Sequence, residues 1–287
     1  MILPNNLKRI LLEGGKVFDG TKRIEHQYLE STYKSFCDNI LSKCTKYKEY
    51  STLGSYGQKK NYGDIDIGIQ CDNIEDFVKT LTDVCKTANY SVDYMKGLGV
   101  ISVNYDIVSP NNRERLGKCQ IDCIPINKLE YAQWSYSSPV KNSSEYSGLY
   151  RNECIFACAR YADYKIMEKD ENGEPTEWSR YFYNLGKGLM IGVQTNISDK
   201  TGKKVKTIRS ISKELITNDP QEIINICFGK SFKYDDMMSY ENCFNAIMSD
   251  NFALIKYRDK ILKSLYKGLN DKNVAIPKDL TIALKGK

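Results

Sequence analysis

Leu53-Gly54-Ser55-Tyr56-Gly57-Gln58-Lys59-Lys60-Asn61-Tyr62-Gly63-Asp64-Ile65-Asp66-Ile67 is a glycine-rich turn running into an alternating strand. On such a strand Asp64 and Asp66 share one face, about 6.6 Å apart along the backbone, while Ile65 and Ile67 face a core. Two convergent carboxylates on a rigid strand are oxygen ligands suited to divalent cations. A pair of such ions, ~3.5–4 Å apart, holds the attacking and leaving oxygens of an in-line phosphoryl transfer. Upstream, Gly54 lets backbone approach a ligand closely and Ser55 adds a hydroxyl, the groups that cradle a phosphate. Lys59 and Lys60 lie between and offset triphosphate charge.

A third carboxylate is expected from a neighbouring strand, and two candidates exist, Asp106 in VNYDIV and Asp122 in CQIDCIPI. Asp122 is favoured. Ile121, Cys123 and Ile124 flank it in a run that reads as buried, where a lone charge is costly unless a metal or partner satisfies it. Asp106 sits where the chain begins to leave its strand toward Ser109-Pro110.

Outward from this segment, Leu29, Tyr33, Phe36, Cys37, Ile40, Leu41 and Cys44 recur at helical spacing, which predicts a helix over 26–49. A short strand ends near Thr52, a second helix covers 74–88, and strands cover 99–108 and 119–126 on either side of the polar turn SPNNRERLGK. This mixture defines an α+β domain over residues 1–135. The Ser- and Pro-rich stretch SYSSPVKNSSEYSG then introduces a mainly helical domain over 136–287. Its helices are predicted at 148–168, 213–228 and most of 236–270, with a β-hairpin at 188–212 around SDKTGK. Net charge is +1 over residues 1–140 and +5 over 141–287. Lys200–Arg209 carries five cations and no acid, which suits either a grip on a nucleic-acid backbone or protection of an edge strand.

The 287 residues are 41% hydrophobic and 27% charged, with a net charge of +6, enough apolar material for a real core. The single histidine, His26, excludes histidine-rich metal sites and leaves a Ser-His-Asp hydrolase little to build on. It reads as a surface residue at a helix start. Cys119 and Cys123 fall on a strand, about 13 Å apart and too far for one zinc. Cys154 and Cys158 lie one helical turn apart on an apolar face, so both pairs read as core. No run approaches ~18 apolar residues, and MILPNNLKRILLEGG is too short in its apolar part for a signal peptide. A soluble, cytoplasmic protein with reduced thiols and no membrane partner is expected. No P-loop is present: Gly186-Lys187-Gly188 lacks the leading glycine and the Ser/Thr. MKGLGV lacks the third glycine of a dinucleotide turn. The 21 tyrosines fall mostly at helix or strand spacing, as half-buried core residues do.

Leu53-Gly54-Ser55, then Asp64-Ile65-Asp66 nine residues after the serine, then Asp122 on a later strand together resemble the nucleotidyltransferase superfamily of the DNA polymerase beta type. The resemblance covers about residues 26–130. It implies a polymerase-beta-like catalytic domain, a small mixed sheet with flanking helices, ahead of the C-terminal domain. It further implies that Asp64, Asp66 and Asp122 bind metal and carry catalysis, and that Gly54 and Ser55, with Lys59 and Lys60, hold the nucleotide. The cofactor implied is Mg²⁺, two ions, with Mn²⁺ as a substitute. The reaction implied is transfer of a nucleoside monophosphate from an NTP, ATP included, to an acceptor hydroxyl with release of pyrophosphate. Members of the superfamily include poly(A) and CCA-adding polymerases, antibiotic nucleotidyltransferases, oligoadenylate synthetases and toxin-type enzymes. The basic stretch Lys200–Arg209 and the sizeable second domain put a nucleic-acid 3′ end, RNA or another polynucleotide, first as the expected acceptor. A small molecule or protein side chain comes second, and a non-catalytic nucleotide- or RNA-binding module is the alternative outside enzymes.

Overall fold

A computed structural model describes residues 17–96, 99–139, 144–171, 173, 175–198 and 204–286. The chain is α+β and divides into two compact units, Met1–Lys141 and Asn142–Lys287.

In the first unit, β1 (Ile24–Glu25) leads directly into α1 (His26–Asn39) and pairs with β3 (Asn61–Tyr62). A five-stranded sheet contains β2 (Glu49–Thr52), β4 (Asp64–Gln70), β5 (Val92–Met95), β6 (Val100–Val108) and β7 (Arg115–Ile126). The strand order is β2-β4-β7-β6-β5, with β4 and β7 parallel and every other pair antiparallel. α1 packs on β6, and α2 (Ile74–Thr87) packs on β5 and β7. Asn73 caps α2 by accepting from the Asp76 N–H at 3.2 Å, and Glu75 and Asp76 add negative charge to its first turn.

Phe36, Ile65, Ile67, Ile69, Phe77, Leu81, Ile101, Val103 and Ile121 form one core beneath α1 and α2. The opposite sheet face carries a smaller cluster, in which Leu53, Ile124 and Ile126 meet Leu129 and Ala132 of α3 (Leu129–Ser135). Gly68 makes that contact possible: a Cβ there would stand 2.9 Å from Leu53 Cδ1 and 3.2 Å from Ile126 Cδ1. Each isoleucine or phenylalanine buried this way stabilises the fold by about 1.5–3 kcal/mol, so β4 and β7 are firmly anchored. The helix expected to run to residue 49 ends at Asn39. A tight turn over Leu41–Lys43 keeps Leu41 and Cys44 in the core, so the burial pattern outlasts the helix.

The second unit differs more from its expected form. It is not mainly helical with a hairpin: β8 (Lys165–Lys169), β9 (Pro175–Asn184), β10 (Gly188–Ser198) and β11 (Lys204–Thr217) form a four-stranded antiparallel sheet. The helix predicted over 148–168 stops at Ala159 as α4 (Gly148–Ala159), and Asp163 turns the chain at φ +53°. The helix predicted over 213–228 begins only at α5 (Pro220–Cys227), where Pro220 and an Asp219 side chain accepting from Glu222 N–H set its start. β9 lies outside the hairpin expected at 188–212 and was not predicted, although Thr176, Trp178, Tyr181, Phe182 and Tyr183 are strand-favouring residues. α6 (Tyr240–Met248) and α7 (Arg258–Asp271) pack on α4, and α8 (Lys278–Lys285) packs on α7.

All ten cysteines are buried and free, with Cys119 and Cys123 on β7 and Cys154 and Cys158 on α4. Among the described residues, no helix is long and apolar enough to cross a membrane.

Candidate metal centre

Alternation along β4 sends Ile65, Ile67 and Ile69 under the helices, so Asp64 and Asp66 emerge on the opposite face. Parallel pairing sets Asp66 beside Asp122 and Asp64 beside Gln120. One carboxylate oxygen from each of Asp64, Asp66 and Asp122 lies within 4.8 Å of the other two. Three carboxylate oxygens this close together could hold a divalent cation.

Asp122 is only 8% exposed. The Ser102 hydroxyl donates to its Oδ1 at 2.7 Å, and Gln120 Nε2 donates to Oδ1 and Oδ2 at 2.9 and 3.0 Å. Gln120 is fixed in turn by accepting from the Val17 N–H at 2.9 Å. Groups that orient a metal-binding carboxylate are worth about 10–100-fold in affinity. Ser102→Ala or Gln120→Ala is therefore expected to weaken Mg²⁺ binding by about that factor in isothermal titration calorimetry. Wild-type affinity in both variants would remove them from an orienting role.

The turn before β4 closes on the same oxygens. The Leu53 N–H donates to the Asp66 carbonyl at 2.9 Å. Gly54 has φ +68°, and a Cβ there would stand 3.0 Å from Asp66 Oδ2, so backbone alone fits against the carboxylate. Ser55, Tyr56, Lys59, Asp64 and Asp66 line a cavity of about 30 Å³, room for an ion or a water rather than a nucleotide base. The Lys59 N–H donates to Tyr62 Oη at 2.8 Å, and His26 Nδ1 lies 3.1 Å from the same oxygen, which pins the loop. His26 is exposed at the first position of α1, as its sequence context predicts. Lys60 is exposed; its carbonyl accepts the His26 N–H, and its side chain is not among the groups lining this cavity.

Burial raises the Asp64 carboxyl above the ordinary range, against the lowering fields of Lys59 and Arg23. Burial, then repulsion from Asp64 and Asp122, holds Asp66 well above it. Asp122 is pushed up to about 7, chiefly by burial and then by Asp64, with Ser102 and Gln120 pulling the other way. A folded-state carboxyl raised above its unfolded value of ~3.9 binds protons that the unfolded chain has released. Without metal, this site's contribution to stability is therefore expected to fall as pH rises from about 4 to about 7. Thermal midpoints in EDTA should show that decline, Asp122→Asn should reduce it, and Mg²⁺ above pH 7 should raise the midpoint. A decline equal in Asp122→Asn and wild type would contradict the assignment.

Asp106 goes elsewhere. Lys118 Nζ is 2.9 Å and Arg115 Nε 3.2 Å from its carboxylate, and the Tyr90 hydroxyl donates to it at 2.9 Å. Burial pushes its carboxyl up, but the bonds from Lys118 and Tyr90 outweigh this and leave it below the ordinary value. Four groups at the site went unassigned in the sequence. Gln120 had a readable signal, lying two positions before Asp122 on one face. Ser102 depends on the β6–β7 register, and Arg23 on the fold that brings it near Asp64. Tyr136 lies close enough to Asp66 that its hydroxyl, pushed up to about 12 mainly by burial, also feels that charge. Lys200 and Lys203 lie outside the described residues; Lys204 and Lys206 fall on β11, their side chains outside the description.

Compared with known proteins, the chain matches no family model and no curated protein.

Proposed function

We propose that the first unit is a Mg²⁺-dependent nucleotidyltransferase of the polymerase-beta type. It moves a nucleoside monophosphate from an NTP to an acceptor hydroxyl and releases pyrophosphate. The observation that carries this reading is the convergence of Asp64, Asp66 and Asp122 on two parallel strands behind the Gly54-Ser55 turn. The donor set is carboxylate alone, which suits a hard cation, Mg²⁺ or Mn²⁺. Three carboxylates held together in a half-buried cluster favour such an ion. When bound, the ions neutralise triphosphate charge and make the acceptor hydroxyl more acidic.

The chain's own residues supply positioning and charge. Asp64 and Asp66 hold the ions, the Gly54 backbone and Ser55 hydroxyl seat the phosphates, and Lys59 offsets their charge. The acceptor oxygen forms its bond to the α-phosphorus as the α–β bridging P–O bond breaks and pyrophosphate leaves. Asp122, the third carboxylate of the cluster, would complete the ligand set on the acceptor side and help receive the acceptor's proton.

A nucleic-acid 3′ end is the acceptor we place first, supported by the five cations of Lys200–Arg209. Each lysine on a single-strand phosphate contributes ~0.7 to the slope of log affinity against log salt. Replacing Lys203, Lys204 and Lys206 by Ala is expected to flatten that slope by about two units for RNA. An unchanged slope would move a small-molecule or protein hydroxyl to first place. The activity itself is tested by incubating the protein, a cell extract and each α-labelled NTP. Nuclease-sensitive label is expected, and absence of label above an Asp66→Asn control would count against transfer.

A further inference from the structure

A second cavity in the first unit, 580 Å³ in volume, is unrelated to the carboxylates. It opens where β6 ends, between that strand, the turn after it and the C-terminal half of α1. Asp106 on its wall pairs across the sheet with Lys118, whereas Ser102 pairs with Asp122. Those positions are four residues apart on β6, about 13 Å, so an occupant of the cavity lies well away from Asp122.

Four cations, Lys34, Lys43, Arg113 and Arg115, line the cavity against two carboxylates, Asp38 and Asp106. Asp106 is already engaged by Arg115 and Lys118. Lys34, Lys43 and Arg113 form no ion pair among the described residues and are exposed. Three unpaired cations on one concave wall favour an anion with spread charge, and a guanidinium matches phosphate oxygens in pairs. The rest of the wall is of another kind. Ile40, Val108 and Pro110 give it apolar surface, while the Tyr105 hydroxyl, 3.0 Å from Ser35 Oγ, supplies a fixed polar group. The volume falls in the roughly 300–1,000 Å³ range of small-molecule sites.

We infer that this cavity binds a small phosphate-bearing ligand of nucleotide size, its phosphates on Lys34, Lys43 and Arg113. The site does not depend on whether Asp64, Asp66 and Asp122 transfer nucleotides. The chemistry is shared by nucleoside polyphosphates and inorganic pyrophosphate. A nucleoside also uses the apolar wall, so ATP should bind more tightly than pyrophosphate if a nucleotide is the natural occupant.

The test is calorimetric titration of the full chain with ATP and with pyrophosphate in EDTA, where the carboxylate centre lacks its cations. One saturable site is expected. The double variant Lys34→Ala/Arg113→Ala should weaken it about tenfold or more, with an unchanged thermal midpoint because both side chains are exposed. Lys59→Ala, on the other cavity, should leave it unchanged. No saturable binding at millimolar ligand, equal binding by the double variant, or loss in Lys59→Ala would each overturn the inference. So would a single-stranded RNA that displaces ATP and binds more tightly with the same dependence on Lys34 and Arg113, because the surface would then serve a polynucleotide.

Discussion

Asp66→Asn is expected to lower nucleotidyl transfer by at least about 10³-fold, the scale of losing one preorganised charge partner at a phosphoryl-transfer site, while leaving the fold intact. Asp66 sits centrally, with Asp64 two positions away on β4 and Asp122 beside it on β7. Burial penalises it first and both carboxylates repel it, so in the metal-free protein its charge opposes folding. Replacing that charge with an isosteric amide removes repulsion, and the thermal midpoint in EDTA should hold or rise. Activity and stability thus move apart, which a merely structural aspartate would not do. A variant that transfers nucleotides at near-wild-type rate would remove Asp66 from the centre.

Asp122→Asn and Asp106→Asn should separate as cleanly, although both aspartates lie on neighbouring strands of one sheet. Asp122 shares the cluster with Asp64 and Asp66, so its amide variant should lose transfer on the same scale as Asp66→Asn. Asp106 is spent on Lys118, Arg115 and Tyr90. Its amide variant should keep transfer and lose about 1–2 kcal/mol of stability at pH 7, a modest figure because Arg115 is largely, and Lys118 partly, in water. Because Asp106 titrates below its ordinary value, that contribution is present above the unfolded pKa and disappears as pH falls through the folded one. Denaturant melts at pH 7 and at low pH, beside label-transfer assays, check both halves. Transfer lost in Asp106→Asn and kept in Asp122→Asn would exchange their roles.

The strand that carries the first two carboxylates was legible because its alternation is strict. Ile65, Ile67 and Ile69 fill the core, so the intervening aspartates have one face left to occupy. The third position was legible by cost: a lone acid between Ile121 and Cys123 must be satisfied, and Asp122 is, by Ser102 and Gln120. Ser102 itself was not legible, because nothing local in VISVNYDIV shows which residue of β7 it will face; the β6–β7 register decides that. Lys59 and Lys60 looked equivalent in sequence and are not, since the loop pinned by Tyr62 and His26 brings Lys59 to the cavity. In the second unit, helical spacing after residue 159 was misleading. Short strands such as Lys165–Lys169 carry little apolar signal of their own and form by pairing with β9.

The reading rests on three carboxylates acting together on divalent cations beside an NTP. Electron paramagnetic resonance of Mn²⁺ tests that most directly, with the protein titrated in the presence and absence of a non-hydrolysable ATP analogue. Tighter Mn²⁺ binding with the analogue, reaching two ions per chain and lost in Asp66→Asn, is the predicted result. Mn²⁺ that binds no more tightly with the analogue, or equally in wild type and Asp66→Asn, would contradict it.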